Sequence, residues 1–234
     1  MVSNNAAVMI PTYNEAENIE LLLKQLQELN LEVLVIDDNS PDGTANLVNS
    51  LKLPKVTVLY RQKKDGLGNA YKAGIAHLLE NSKFTHLISM DADGSHRVED
   101  LKKLIQSIND ADLIIGSRWI EGGKIVDWPW QRKWLSRFGT WYASKLLGLP
   151  IQDITGGFRI YNRKALEKID FKSIKANGYC YQIEMAYAFK DKKIKEVPIT
   201  FVERTKGQSK MNINVVVEAM ATVTMLGLRR VIRR

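Results

Sequence analysis

Three short apolar runs in the first half of the chain each end in acidic and polar residues. The polar segments are Pro11–Glu15 (PTYNE), Asp37–Pro41 (DDNSP) and Asp91–Asp93 (DAD). In doubly wound sheets, ligands bind beyond the carboxyl ends of the strands. Like charges that share a pocket are costly unless a cation or ligand is present. The three segments therefore predict one site that binds a cation together with an anionic ligand.

The pair Asp91 and Asp93 carries most of this prediction. Alternation along an extended chain puts both carboxylates on one side, with α-carbons roughly 6–7 Å apart. That arrangement suits one Mg²⁺ or Mn²⁺ ion shared with phosphate oxygens. Taken singly, Asp38 or Asp42 could instead cap a helix and Glu15 could lie in a first helical turn. The convergence of all three segments favours the shared site for a cation and an anionic ligand.

The elements that position these residues follow from hydrophobic periodicity. Buried strands are predicted at Ala7–Ile10, Val33–Ile36, Val56–Leu59, Leu87–Met90 and Leu113–Ile115. Amphipathic segments separate them, beginning near Ile19, Thr44, Leu67 and Val98. The alternation of strand and helix predicts an α/β fold with a doubly wound, mainly parallel sheet.

The second half of the chain is less regular. We expect a loop at Gly122–Trp130, helices at Lys133–Leu147 and Tyr181–Phe189, strands at Phe158–Tyr161 and Ile194–Val202, and a final helix from about Asn214. No linker or repeat divides the chain. The pattern therefore predicts one domain over residues 1–211 and a C-terminal amphipathic helix over 212–234.

Composition narrows the class of protein. The chain has 234 residues, 45% of them hydrophobic, and a net charge of +8. Its one cysteine, Cys180, excludes an intrachain disulfide and a thiolate zinc cluster, and we expect it in the core. No signal peptide and no run of roughly 20 apolar residues is visible, so we expect a cytoplasmic protein. Nucleic-acid binding would explain the positive charge, but the acidic strand ends would repel phosphate unless a metal is bound.

Motifs along nearly the whole chain resemble a known family. The three acidic segments together with Gly116–Arg118 resemble glycosyltransferase family 2, which has the GT-A fold. The second half resembles the polyprenol-phosphate (dolichol-phosphate) mannose synthases of that family. The segments that carry this likeness are Trp128–Arg137 (WPWQRKWLSR), Asp153–Arg159 (DITGGFR), Gly178–Glu184 (GYCYQIE) and Glu196–Lys210 (EVPITFVERTKGQSK). The resemblance implies inverting transfer of mannose from GDP-mannose to a polyprenyl monophosphate, with Mg²⁺ or Mn²⁺ as cofactor.

The resemblance also assigns roles to residues. It implies that Asp91 and Asp93 hold the metal. It implies that the donor is bound by Pro11, Tyr13, Glu15, Asp38, Asp91, Arg204 and Lys210. It implies that Arg118, Arg132 and Ser136 bind the acceptor phosphate, and that Asp93, Arg118 and Arg204 are catalytic. Many relatives have a glutamine where this chain has Ser95, so we expect only two side-chain metal ligands.

Two further residues near these motifs have alternative interpretations. A lipid monophosphate is already charged at neutral pH, because its second pKa is about 6, so the reaction needs no general base. Asp153 is then either a helper near the sugar or a turn residue that binds backbone amides. His96, three residues after Asp93, either contacts the donor or is structural.

Aromatic and basic residues suggest a membrane surface. Trp128, Trp130, Trp134 and Trp141 lie among Lys and Arg residues, a composition that suits either core packing or the lipid–water interface. The segment Val215–Arg234 has an apolar body and four terminal arginines, so it either packs on the sheet or lies on an anionic leaflet. We expect a protein that is peripheral on the cytoplasmic face, where a membrane protein is a further candidate partner. The polar segment Arg204–Lys210 is predicted to act as a lid.

Two other functions fit the same motifs. A UDP-sugar could replace GDP-mannose, since the motifs do not specify base or sugar. A nucleotide-sugar-binding scaffold without catalysis is the alternative of another class, although four intact residues argue against it: Asp91, Asp93, Arg118 and Arg204.

Overall fold

A computed structural model describes residues 5–80, 83–178, 180–203 and 220–228. The strands are β1 (Ala6–Thr12), β2 (Glu32–Asp37), β3 (Val56–Tyr60), β4 (His86–Ser89), β5 (Leu113–Ser117), β6 (Lys124–Val126), β7 (Arg159–Asn162), β8 (Ile194–Pro198) and β9 (Thr200–Val202). The α-helices are α1 (Ala16–Gln27), α2 (Thr44–Ser50), α3 (Leu67–Leu79), α4 (Val98–Gln106), α5 (Trp130–Leu147), α6 (Arg163–Leu166) and α7 (Cys180–Ala188). A 3₁₀ turn spans Phe171–Ser173, and residues 220–228 form a further helical segment.

Seven strands form the main sheet in the order β3-β2-β1-β4-β7-β5-β8. All neighbours are parallel except β7, which runs antiparallel to both β4 and β5. The predicted α/β architecture with a mainly parallel sheet is confirmed. Helices cover both faces of β1, whose apolar residues are fully buried, so the end of this strand is a rigid base for Pro11–Glu15.

Two predictions for the second half were wrong in detail. The loop expected at Gly122–Trp130 contains β6, which pairs in parallel with β9 in a small separate sheet. The strand expected at Ile194–Val202 is two strands that belong to different sheets. The break follows Pro198, which has no N–H to donate to a ladder. At the break, Ile199 donates from its N–H to the Ser117 carbonyl and accepts from the Lys124 N–H.

Two apolar cores lie on the two faces of the main sheet. One core forms against α1 and α4, which bury Ile19, Leu23, Leu101 and Leu104 at helical spacing. The other core contains residues of α3, α5 and α7, including Cys180, which is buried as expected. Both cores leave the carboxyl edge of the sheet uncovered for polar residues.

The helical segment 220–228 packs beside α5. Val223 belongs to the same apolar cluster as the α5 residues, and the Thr224 and Tyr142 hydroxyl oxygens lie 2.9 Å apart. A β-carbon at Gly227 would lie 2.5 Å from Leu146 Cγ, so the two helices approach closely. The rest of the predicted C-terminal helix and the segment Arg204–Lys210 lie outside the described residues. Within the described part of the chain, no helix is both long and apolar enough to cross a bilayer.

Candidate functional site

A cavity of about 540 Å³ opens at the carboxyl ends of β1, β2, β4 and β5. Six of the predicted site residues that line it come from the strand ends: Pro11, Tyr13, Glu15, Asp38, Asp91 and Asp93. Arg118, Arg132 and Ser136 line it from the opposite side. The structure therefore brings together all nine predicted residues that it describes, while Arg204 and Lys210 lie outside the described residues.

Asp91 is held at the cavity wall by its neighbours and keeps 34% of its side chain exposed. The Tyr71 hydroxyl donates to Asp91 Oδ1 at 3.3 Å. Burial raises the pKa of Tyr71 well above its usual range, and the charge of Asp91 raises it further, so the phenol keeps its proton. Tyr71 therefore acts as a permanent donor that orients Asp91.

Asp93 is 9% exposed and is oriented by Ser95. The backbone N–H and the hydroxyl of Ser95 donate to Asp93 Oδ1 at 3.1 and 2.6 Å. Ser95, which was not expected to bind the metal itself, therefore orients the Asp93 carboxylate. Among the described residues, no group of three or more Asp, Glu, His or Cys side chains is arranged to hold a metal. Asp91 and Asp93 both line the cavity, and two carboxylates fit a hard cation whose other ligands are phosphate oxygens and water.

His96 closes the bent segment that runs from Asp91 to His96. Its Nδ1 accepts from the Asp91 N–H at 3.0 Å, so the neutral ring carries its proton on Nε2, 3.8 Å from Asp91 Oδ2. The ring stacks on Phe158 at 4.7 Å and meets the edge of Phe201 at 5.8 Å. His96 lines the cavity, but its contacts describe a residue that positions Asp91.

At the other end of the acidic edge, Asp38 is paired with Arg61 at 2.5 Å. Burial raises the pKa of Asp38, although the Arg61 guanidinium partly offsets this effect. Lys64 lies 4.1 Å from the centre of the Tyr13 ring. Tyr13, Asp38 and Lys64 line this end of the cavity, where an aromatic ring beside polar groups suits a nucleoside.

Asp42 and Glu15 both lie at helix N-termini, as the alternative interpretation of these residues expected. Asp42 accepts from the Thr44 N–H and hydroxyl and from the Ala16 N–H, so it joins the first turns of α1 and α2. Glu15 is the residue that precedes α1, and its Oε2 accepts from the Asn18 side chain at 3.0 Å. Asp42 is therefore a capping residue, whereas Glu15 is both a helix-end residue and part of the cavity wall.

A buried ion pair between Arg118 and Asp153 supports the opposite wall. Arg118 Nε and Nη2 each donate to a different oxygen of Asp153 at 2.7 Å, and the Arg118 backbone N–H donates to Asp153 Oδ2 at 2.9 Å. Nη2 also donates to the Thr155 hydroxyl. Burial alone would lower the pKa of Arg118, but Asp153 and Asp91 more than offset this effect and the pKa is raised.

The contacts of Asp153 favour the structural interpretation of this residue over a role near the sugar. The carboxylate is fully buried, and it accepts from the Arg118 guanidinium and backbone N–H. It therefore positions a cation rather than reaching a substrate. Within the described part of the chain, Arg118 donates through Nε and Nη2 and makes no hydrogen bond through Nη1, so the Nη1 edge of this fixed guanidinium is available to an anion in the cavity.

Arg132 and Ser136 approach from α5, one helical turn apart. The Arg132 guanidinium lies 4.0 Å from the centre of the Trp128 ring, forms an ion pair with Glu203, and leaves about a quarter of its side chain exposed. Arg118 lies 5.5 Å from the same indole. Trp128 thus brings two cations to one side of the cavity through cation–π contacts.

Comparisons with known proteins agree with this geometry. Residues 7–170 match the family model described as "Glycosyl transferase family 2". The chain belongs to glycosyltransferase family 2. It is 46% identical to an undecaprenyl-phosphate mannosyltransferase of Micrococcus luteus over 94% of this chain and 93% of that protein. It is 44% identical to a polyprenol monophosphomannose synthase of Mycolicibacterium smegmatis over 95% of this chain and 86% of that protein.

Solved structures show the same fold at low sequence identity. Glucosyl-3-phosphoglycerate synthase of Mycobacterium tuberculosis in complex with Mn²⁺, UDP and phosphoglyceric acid matches with a TM-score of 0.71 at 16% identity, over 96% of this chain and 78% of that one. The same enzyme with Mg²⁺ and UDP matches with a TM-score of 0.70 at 16% identity, over 95% of this chain and 79% of that one. The expected GT-A architecture is confirmed by this likeness.

Sequence reasoning about this glycosyltransferase missed the residues that support the site from behind. Arg159 is fully buried and donates to the carbonyls of Ile154, Gly156 and Gln182 at 2.7–2.8 Å. It fixes the glycine loop that forms the cavity floor. The motif that contains Arg159 was visible in the sequence, but a basic residue in such a motif suggests phosphate binding rather than burial.

Proposed function

We propose that this chain transfers mannose from GDP-mannose to a polyprenyl monophosphate and releases GDP, with inversion at the anomeric carbon. One observation carries the proposal: a single cavity joins a two-carboxylate end, a pair of arginines and an apolar end. A nucleotide sugar needs the first, an anionic acceptor needs the second and a lipid tail needs the third. The names of the two curated relatives support mannose and a polyprenyl phosphate as the substrates.

The reaction follows from the charges in the cavity. Donor diphosphate and acceptor phosphate repel each other, and Arg118 and Arg132 would offset that repulsion by binding the acceptor phosphate with Ser136. An acceptor oxygen attacks the anomeric carbon, the bond from that carbon to the diphosphate breaks, and GDP leaves with the bonding electrons. A Mg²⁺ or Mn²⁺ ion held by Asp91 and Asp93 would offset the charge on the leaving diphosphate. The reaction needs no general base, because the acceptor phosphate is already charged at neutral pH.

The apolar end of the cavity lies between α5 and the segment 220–228. Its lining includes Leu135, Phe138, Tyr142, Met220 and Val223. These side chains are apolar and lie next to Arg132 and Ser136 on α5. They would therefore contact the isoprene units nearest the acceptor phosphate. Arg204 and Lys210 remain predicted phosphate-binding residues on a predicted lid.

The donor is tested by thermal unfolding with Mn²⁺. A ligand at 100 times its Kd stabilises the folded state by about 2.7 kcal/mol, which raises the midpoint of a chain of this size by roughly 5–10 °C. We expect GDP to give this shift and UDP to give much less. Equal or greater protection by UDP would favour a UDP-sugar donor, and protection without turnover of any nucleotide sugar would favour a binding scaffold.

A membrane surface is proposed as the partner of α5. Trp130, Trp134, Phe138 and Trp141 follow one another at helical spacing, and their exposed fractions run from 37% to 73%. Segment 220–228 adds exposed Met225 and Leu228 beside them. An exposed aromatic stripe of this size indicates an interaction surface. It borders the apolar end of the cavity, where a lipid acceptor would enter from a bilayer.

Charge on the same helix face favours an anionic leaflet. The exposed Arg137 and Lys145 lie at helical positions between and beside the tryptophans. Tryptophan rings and basic side chains are the residues that anchor proteins at the level of lipid headgroups. The chain would therefore be peripheral on the cytoplasmic face of a membrane.

Replacing both Trp134 and Trp141 with serine should weaken binding to phosphatidylglycerol vesicles by tenfold or more, equivalent to ~1.4 kcal/mol. Turnover with acceptor dissolved in detergent should stay near the wild-type value, because neither indole lines the cavity. Sedimentation with vesicles measures the first effect. Leu21→Ser on α1 is the matched control, since Leu21 is equally exposed on another surface. Unchanged vesicle binding by the double variant would exclude this docking face.

A further inference from the structure

The side-chain amide of Gln182 is buried without a hydrogen-bond partner. Gln182 lies in the first turn of α7 and is 2% exposed. Neither its Nε2 nor its Oε1 makes a hydrogen bond within the part of the chain that the structure describes. Its backbone is in contrast well held, because its carbonyl accepts from Arg159 Nη1 at 2.8 Å. A buried amide without partners costs folding free energy and therefore calls for a functional explanation.

The amide lies on the floor of the substrate cavity. Gly157 is the reference point: a β-carbon there would lie 3.4 Å from Gln182 Nε2, 3.8 Å from His96 Cε1 and 3.9 Å from Asp91 Oδ1. The absence of a side chain at Gly157 leaves these three polar side chains around one small space. Gly157 is fixed in turn, since its carbonyl accepts from the Ser89 hydroxyl at 2.7 Å. Gln182, Gly157 and Asp91 all line the cavity.

The position of this space assigns its ligand. The donor diphosphate would lie against Asp91 and Asp93, and the acceptor phosphate against Arg118 and Arg132. The transferred sugar must then lie between these two groups, beside Asp91 and over Gly157. Sugar hydroxyls both donate and accept hydrogen bonds, and a glutamine amide offers both functions. Nε2 is the amide atom that lies beside this space, and because the terminal torsion is roughly two-fold, a half-turn of the amide places Oε1 there instead.

We infer that Gln182 hydrogen-bonds a hydroxyl of the hexose carried by the donor and thereby contributes to sugar specificity. The inference rests on the proposed function and adds a sugar-binding residue to it. A site built to bind a hydroxyl discriminates strongly against an analogue that lacks that group, because the buried polar atoms of the protein then stay unpaired.

Gln182→Met separates sugar binding from a structural role. Methionine has similar length and cannot form the amide hydrogen bonds. With Mn²⁺ present, GDP should protect the variant as well as the wild type, whereas the additional protection by GDP-mannose over GDP should be lost. kcat/KM should fall about 100-fold, and the unfolding midpoint without ligand should not fall. Gln106→Met, at an exposed position on α4, is the matched control.

Deoxy-mannose donors complete the test. Removal of the contacted hydroxyl should cost the wild type about 100-fold in kcat/KM and should cost Gln182→Met little. A lower midpoint without ligand, with GDP and GDP-mannose protection reduced in parallel, would show a structural amide and overturn the inference. Identical discrimination by both proteins against every deoxy donor would also overturn it.

Failure of the proposed function can be distinguished from failure of the inference about Gln182. If the wild type uses another nucleotide sugar instead of GDP-mannose, the mannose proposal fails. The same comparison of that nucleotide sugar with its free nucleotide then decides the role of Gln182. If the wild type turns over no donor, the difference in protection between nucleotide sugar and nucleotide decides it.

Discussion

Asp93→Asn should lower kcat/KM by about 10³-fold or more, equivalent to ~4 kcal/mol of transition-state stabilisation. The substitution removes the charge that a divalent cation needs and keeps the side-chain volume. Asparagine retains an oxygen that can accept from the Ser95 N–H and hydroxyl, so the unfolding midpoint should stay within a few degrees of the wild type. Steady-state kinetics and thermal unfolding measure the two effects on one preparation.

The dependence of GDP binding on a metal ion is an independent test of the proposed role of Asp93. GDP should raise the unfolding midpoint of the wild type only when Mn²⁺ or Mg²⁺ is present. In Asp93→Asn, GDP should raise the midpoint much less, and adding the metal ion should make little difference. Asp191→Asn is the matched control, because Asp191 is 81% exposed and precedes β8, at the amino end of that strand and away from the carboxyl edge of the sheet. Wild-type turnover in EDTA, or full activity of Asp93→Asn, would exclude the metal role.

The first half of the fold was predictable because its helices and strands are local. Each strand is a short apolar run, each helix has one apolar face, and parallel connections put all polar strand ends on one edge. The position of β7 was not predictable in this way. It lies antiparallel between β4 and β5, and nothing in the order of elements shows that a later strand enters there. The β6 and β9 pair likewise depends on contacts between residues more than 70 positions apart.

The same distinction applies to the site. Asp91, Asp93 and Arg118 were predictable because their positions at strand ends or in family motifs are properties of the sequence. Their supporting partners were not, since the contact of Tyr71 with Asp91 and that of Arg159 with the glycine loop arise only from tertiary packing. Gln182 lies in the family motif Gly178–Glu184, but the motif does not show that the side-chain amide is buried without a partner or which space it faces.

Breaking the Arg118–Asp153 pair should have the second large effect, on stability and on turnover together. Arg118→Met leaves the fully buried Asp153 carboxylate without its cation, which typically costs ~3–5 kcal/mol. In a chain of this size the unfolding midpoint should fall by roughly 6–20 °C. Turnover should fall at least 100-fold even below the melting range, because the cavity loses the guanidinium that we propose binds the acceptor phosphate.

A double variant separates the two losses. In Arg118→Met with Asp153→Asn, no uncompensated charge remains, and the asparagine oxygen can still accept from the residue 118 backbone N–H, so most of the lost stability should return. Turnover should not return, since neither side chain can bind phosphate. Asp110→Asn, which breaks the exposed pair with Lys195, should change neither quantity. If activity recovers with stability in the double variant, Arg118 acts only by holding the loop at Asp153, and the acceptor phosphate is bound elsewhere.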